Sequence, residues 1–115
     1  NVLKDYPKIF DLQECCIENS YYTVGAVYKG KVTWEDFYNS FTAKGAQSFY
    51  AAVANPYLEK SMIEYSNTYG WSKGMCPNAE YIQNNLMAFK TNYRNHDQCR
   101  FDSECLRETI LELCI

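Results

Sequence analysis

Two cysteines stand side by side in Gln13-Glu14-Cys15-Cys16-Ile17-Glu18-Asn19, and Cys76, Cys99, Cys105 and Cys114 follow in the second half of the chain. An even count of six in 115 residues reads as a disulfide framework and an oxidising, extracellular compartment. The competing use, structural zinc, wants CxxC pairs or Cys/His clusters. This chain has no CxxC, and its only histidine is His96, so no metal site is expected. On a helix, neighbouring residues point about 100° apart, so Cys15 and Cys16 face different segments. Cys105 and Cys114 would lie roughly 13 Å apart along one helix, beyond the reach of about 4.4–6.8 Å that a bridge allows. Excluding bonds within these two pairs leaves about ten of the pairings that six cysteines permit. The first helix is therefore expected to be stapled in two directions, to a segment near Cys76 or Cys99 and to the last helix.

The hydrophobic pattern predicts where those helices run. Pro7, Ile9, Leu12, Cys16 and Tyr21 or Val24 suggest a helix from Pro7 into the twenties, stopped before Gly30. Thr33-Trp34-Glu35-Asp36 approximates a capping box with Asp as its acid, and Trp34, Phe37, Tyr38 and Phe41 form a stripe behind it. Ala46 to Ala54 reads as helical, with Phe49, Tyr50 and Val53 on one side. Asn55-Pro56 opens a helix carrying Leu58, Met62, Tyr65 and Tyr69, which Gly70 closes. Pro77 opens another with Tyr81 or Ile82, Leu86, Phe89 and Tyr93. Asn92 to Arg100 reads as a polar turn, and Asp102 or Ser103 caps a last helix with Leu106, Ile110 and Leu113. No strand-like alternation competes with these stripes. The expected fold class is all-α: residues 1–115 as one compact bundle of five or six short helices stapled by three disulfides.

Chemistry is harder to find. His96-Asp97 could in principle be a base and its orienter, but a lone histidine in a polar turn with no nucleophile beside it is expected to be solvated. The glutamates fall on expected solvated faces, and Cys15-Cys16 is expected to be structural rather than redox-active. A net charge of −3 argues against a nucleic-acid partner. No apolar run approaches the length of a membrane span, and Asn1 reads as close to a mature N-terminus after signal removal. No catalytic residue, cofactor or metal is expected.

What stands out is aromatic content: eleven Tyr, six Phe and two Trp. Most are expected in the core, in stripes such as Trp34/Phe37/Phe41 and Ile82/Leu86/Phe89. Tyrosine and tryptophan also anchor protein interfaces, because each covers much area at low entropic cost. The candidate interaction surface is therefore Tyr21, Tyr22, Tyr28, Tyr69, Trp71 and Lys73, with Trp71 alternatively folded back as a lid on the core.

As a whole-chain profile, Cys15-Cys16, Cys76, Cys99, Cys105 and Cys114 set among aromatic helices, the sequence resembles the albicin/anophensin family of anopheline mosquito salivary proteins. That resemblance implies a secreted, non-enzymatic inhibitor of host defence. Its partner would be a host plasma protein or complex, the convertase of the alternative complement pathway first, and the kinin-generating contact system second. A small-ligand carrier of the insect odorant-binding type is the rival class. The eight residues between Cys105 and Cys114 match that family's last spacing, but its Cys-x3-Cys pair is absent. A tyrosine-crosslinked structural or pigment protein is a third class, supported only by the tyrosine count and the single histidine.

Overall fold

The computed structural model describes residues 2–14, 18, 22–50 and 54–115. In chain order it has α1 (Val2–Asp5), β1 (Phe10–Leu12), β2 (Val24–Tyr28), α2 (Trp34–Ala43), a 3₁₀ turn (Pro56–Leu58), α3 (Lys60–Tyr69), α4 (Pro77–Asn85), β3 (Leu86–Phe89) and α5 (His96–Leu113). The strands form one antiparallel sheet in the order β1-β2-β3. Phe10 pairs with Tyr28 across the first junction, and Val24 with Phe89 across the second. The all-α expectation is thus overturned: the fold mixes helices with a three-stranded sheet.

The physical reason lies in two short stretches. Val24-Gly25-Ala26-Val27-Tyr28 is β-branched and aromatic, and its Ala26 and Tyr28 are buried on one face, the period of two that a strand requires. Leu86 breaks the expected Pro77–Tyr93 helix by turning extended (φ −76°, ψ 132°), and its carbonyl accepts the Trp34 indole N–H at 3.0 Å. Leu86 and Phe89 are therefore strand residues and Ile82 is exposed, so the stripe is no helix face, although Phe89 does pack against the core from the sheet. Residues 46–49 are not helical either; Tyr50 instead exchanges backbone hydrogen bonds with Ala88 at the sheet edge. Val53 lies outside the described residues, as does most of the stretch around Cys15-Cys16.

Other local signals fold as read. The Thr33 hydroxyl accepts the Asp36 N–H at 3.1 Å and donates to the Asp36 carboxylate at 2.6 Å. Gly70 ends α3 at φ 70°, a left-handed position that suits glycine. The last helix starts earlier than expected, because the Asn95 side chain accepts the Gln98 N–H at 2.9 Å and makes 96–100 its first turns.

The core sits between the sheet and the packed pair α2 and α5. Phe10, Phe37, Phe41, Phe49, Met87 and Ile110 are at most 2% exposed. Phe49 meets Phe89 at 5.1 Å, Trp34 at 5.2 Å and Phe41 at 5.5 Å between ring centroids, separations typical of favourable aromatic pairs. On the rim Lys44 pairs with Glu112 at 2.5 Å, tying α2 to α5.

The expected disulfide framework is overturned among the described residues. Cys76, Cys99, Cys105 and Cys114 are all free thiols, while Cys15 and Cys16 fall outside the described residues. Cys105 and Cys114 share α5 or its end, and both are buried in the core cluster, where a thiol packs as a small hydrophobe. Burial pushes the Cys105 thiol up, further from its reactive thiolate. The Cys114 sulfur contacts the Tyr28 hydroxyl at 3.4 Å instead of another sulfur.

Two outcomes follow for the folded chain. Alkylation under native conditions is expected to label exposed Cys99, and to reach Cys105 and Cys114 only after unfolding; a mapped bridge at any of the four would contradict this. Phe49→Ala is expected to lower the free energy of unfolding in urea by about 3–5 kcal/mol, whereas a loss under about 1 kcal/mol would show that the ring cluster does not hold the core.

Candidate protein-binding surface

The chain is longer than a compact body requires. Its radius of gyration is 16.4 Å and its extents are 52 × 32 × 25 Å, against about 13 Å for a compact chain of this length. The segment between Asn55 and Asn85 contributes no residue to the buried core cluster. Its 3₁₀ turn, α3 and α4 contain no buried residue, so they form an arm that leaves the core rather than a layer of it.

Polar clips give this arm its shape. The Tyr57 hydroxyl donates to Glu80 Oε1 at 2.7 Å, and the Gly74 backbone N–H donates to the same oxygen at 2.7 Å. The Asn55 amide and backbone N–H both reach Gln83 Oε1, at 2.5 and 3.2 Å. Asn55 therefore ties the arm's entry to α4 instead of capping the turn it precedes. The Tyr57 hydroxyl, together with the Gly74 N–H, holds the Glu80 carboxyl below its ordinary range. Desolvation and the hydrogen bond to Glu80 push the Tyr57 hydroxyl up to about 12. Glu80 is thus no free surface charge; it joins the two ends of the arm.

With the backbone so fixed, the arm displays apolar side chains. Ile63, Tyr65, Tyr69, Met75, Tyr81 and Ile82 are between 39% and 62% exposed. The helix expected from Pro56 is interrupted, because Glu59 is extended (φ −70°, ψ 141°) and leaves Leu58 in the 3₁₀ turn; Met62, Tyr65 and Tyr69 lie on α3, and the core does not cover the two tyrosines. Tyr69 and Trp71 stack face to face, 4.9 Å between centroids and 18° between planes. Trp71 is consequently no lid on the core; its ring lies against Tyr69 in the loop after α3. Lys73 is exposed in the same loop.

The residues expected at an interface divide as follows. Tyr69 ends α3, and Trp71 and Lys73 follow it in the α3–α4 loop. Tyr22 is 86% exposed but belongs elsewhere, lining a cleft with Tyr50, Lys90 and Thr91. Tyr28 is a correction: at 3% exposed it is a core residue, because its alternation with Ala26 turns it inward. Gly30 also leaves room for it, since a Cβ there would collide with the Tyr28 hydroxyl. Tyr21 lies outside the described residues. Ile63, Met75 and Tyr81 went unread as surface. Ile63 carried a signal, since it stands off the stripe and leaves α3 apolar on more than one side.

His96 opens α5 on the exposed surface. No group of three or more His, Cys, Asp or Glu side chains among the described residues is arranged to hold a metal ion. No described helix is long and apolar enough to cross a membrane. No family model matches this chain, and no curated protein matches its sequence.

The clip sets a pH dependence with a definite sign. A carboxyl whose folded pKa is depressed contributes stability above its unfolded pKa and loses it as pH falls through the folded value. The Gly74 amide resonance is therefore expected to titrate with an apparent pKa below the ordinary glutamate value of about 4.3, and to lose that titration in Glu80→Gln. A midpoint at or above about 4.3 would show that the clip is absent in solution.

Proposed function

We propose that this chain is a binding module that acts by occupying a surface of a partner protein, with the exposed arm as its contact. The observation that carries the reading is that α3, α4 and the loop between them bury nothing while presenting Ile63, Tyr65, Tyr69, Met75 and Tyr81. Exposed apolar surface gathered in one place marks an interaction site more often than scattered residues do. Aromatic anchors near the centre of about 800 Å² per side are what a stable complex uses. The clips at Glu80 and Gln83 fix the arm's backbone beforehand, which lowers the entropy lost on docking.

The partner is assigned on the resemblance to the mosquito salivary family: a host plasma protein or complex, first the alternative-pathway convertase of complement. Secretion enters with that assignment alone, because the free thiols of Cys76, Cys99, Cys105 and Cys114 remove the support that cysteine counting gave it. On this reading the chain has no catalytic step, cofactor, nucleic-acid partner or membrane insertion, and inhibition is stoichiometric with the target.

Lysis of rabbit red cells by serum through the alternative pathway tests the target, beside a contact-activation assay on the same protein. Loss of lysis with the classical pathway spared supports the convertase, and inhibition confined to kinin generation selects the contact system. Tyr69→Ala combined with Trp71→Ala is expected to weaken whichever inhibition appears by about tenfold or more. Unchanged potency in that variant removes the arm from the interface, and no response in either assay removes the host-defence assignment.

A further inference from the structure

A pocket of about 500 Å³ lies where three stretches of chain meet: the connection from α1 to β1 (residues 5–9), the residues after β2 (29–31) and the end of α5 at Cys114 and Ile115. Small-molecule sites occupy about 300–1,000 Å³, so an organic ligand fits it. Backbone bonds set the walls beforehand. The Ile9 N–H donates to the Tyr6 carbonyl at 3.0 Å, and the Lys29 N–H to the Ile9 carbonyl at 2.7 Å. Tyr6, Pro7, Ile9 and Cys114 make much of the lining apolar. Ile9 and Cys114 also belong to the buried core cluster, so this wall is the outer side of the core itself.

The rim carries charge. Lys8, Lys29 and Lys31 all line the pocket, and all three are exposed. Lys29 is already paired with Asp11 at 2.5 Å, and Asp5 of the lining with Arg107 at 3.6 Å. Lys8 and Lys31 have no acidic partner among the described residues. With these partners counted, three lysines and one arginine face Asp5, Asp11 and the main-chain carboxyl of Ile115. The pocket thus keeps a positive charge in a chain whose net charge is −3. Lysine stems add apolar surface while their ammonium groups stay in water, which suits a ligand with one charged and one apolar end.

We propose that this pocket binds a small carboxylate with a hydrocarbon tail, its head met by Lys8 and Lys31 and its tail lying against Tyr6, Pro7 and Ile9. Sites of this kind combine apolar walls with a few polar groups that fix orientation. A cationic head would meet the ammonium groups of the rim, and a neutral one would leave them unused. Both lysines are exposed, so each ion pair contributes little by itself. The tail supplies most of the affinity, about fourfold for each fully buried CH₂, and the lysines select the charge of the head. The pocket shares no residue with the arm, so its failure leaves the protein-binding reading standing.

The test compares octanoate, hexanoate, 1-octanol and octylammonium by calorimetry and NMR on the whole chain at neutral pH, each below its micelle or solubility limit. Octanoate is expected to bind one site saturably, and tighter than hexanoate by about tenfold. Octanol is expected to be weaker than octanoate by about three- to tenfold, with octylammonium the weakest of the eight-carbon probes. Resonances of Tyr6 and Ile9 are expected to shift with octanoate. Lys8→Gln combined with Lys31→Gln is expected to equalise octanoate and octanol while circular dichroism shows a native fold. Absence of saturable octanoate binding, equal affinity of the native chain for octanol, or octylammonium binding as tightly would each overturn the proposal. So would shifts confined to Tyr65 and Tyr69, which would mark adsorption on the arm. Should the double variant fail to fold, the comparison of head groups on the native chain still decides it.

Discussion

Phe49 belongs to a stretch with no regular secondary structure, yet the rings of Trp34, Phe37, Tyr38, Phe41 and Phe89 surround it at 5.1–6.3 Å. Through this one side chain the inner face of α2 meets β3. The next residue, Tyr50, exchanges two backbone hydrogen bonds with Ala88, so the irregular loop is fixed to the sheet edge on both counts. Dispersion and burial of large rings supply the energy, and the edge-on and tilted geometries supply direction. In a chain whose described thiols are unbridged, this cluster takes the stabilising role that a disulfide framework would otherwise have.

The position of the arm depends on that cluster at one remove. β3 follows α4 with no intervening loop, so fixing Leu86 to Phe89 in the sheet also fixes where α4 leaves it. The Trp34 indole on the Leu86 carbonyl marks the junction. Beyond it the physics changes from burial to directed polar bonds: Tyr57, Gly74 and Glu80 at one place, Asn55 and Gln83 at another. Such bonds hold a shape without covering apolar surface, which leaves the tyrosines of α3 and α4 facing outward. An arm anchored by a rigid strand and clipped by carboxylate and amide presents its anchors with little conformational entropy still to lose.

The helix α5 serves the body in two ways. Cys105, Leu106, Thr109 and Ile110 are buried toward the core, and the Thr109 hydroxyl is satisfied by the Cys105 carbonyl at 2.8 Å. Two turns earlier the buried Asp102 accepts the Gln47 backbone N–H at 3.2 Å and so fixes the irregular stretch that carries Phe49.

What the sequence by itself determined are the features whose causes lie within a few residues. The Thr33–Asp36 box, Gly70 at the end of α3, Pro77 at the start of α4 and the Trp34/Phe37/Phe41 stripe were legible, because caps and helical stripes connect neighbours three or four positions apart. The strands were not, because β1 to β3 are three to five residues long and become strands by pairing across the chain, Val24 with Phe89 and Phe10 with Tyr28. The same limit applied to the cysteines, whose bonding depends on which sulfurs approach in space, and to Tyr28, whose burial depends on the strand it joins. For the arm, periodicity placed Tyr65 and Tyr69 on one helical face. Whether another element covers that face is a matter of tertiary packing, and here the core closes on α2 and α5 and leaves α3 uncovered.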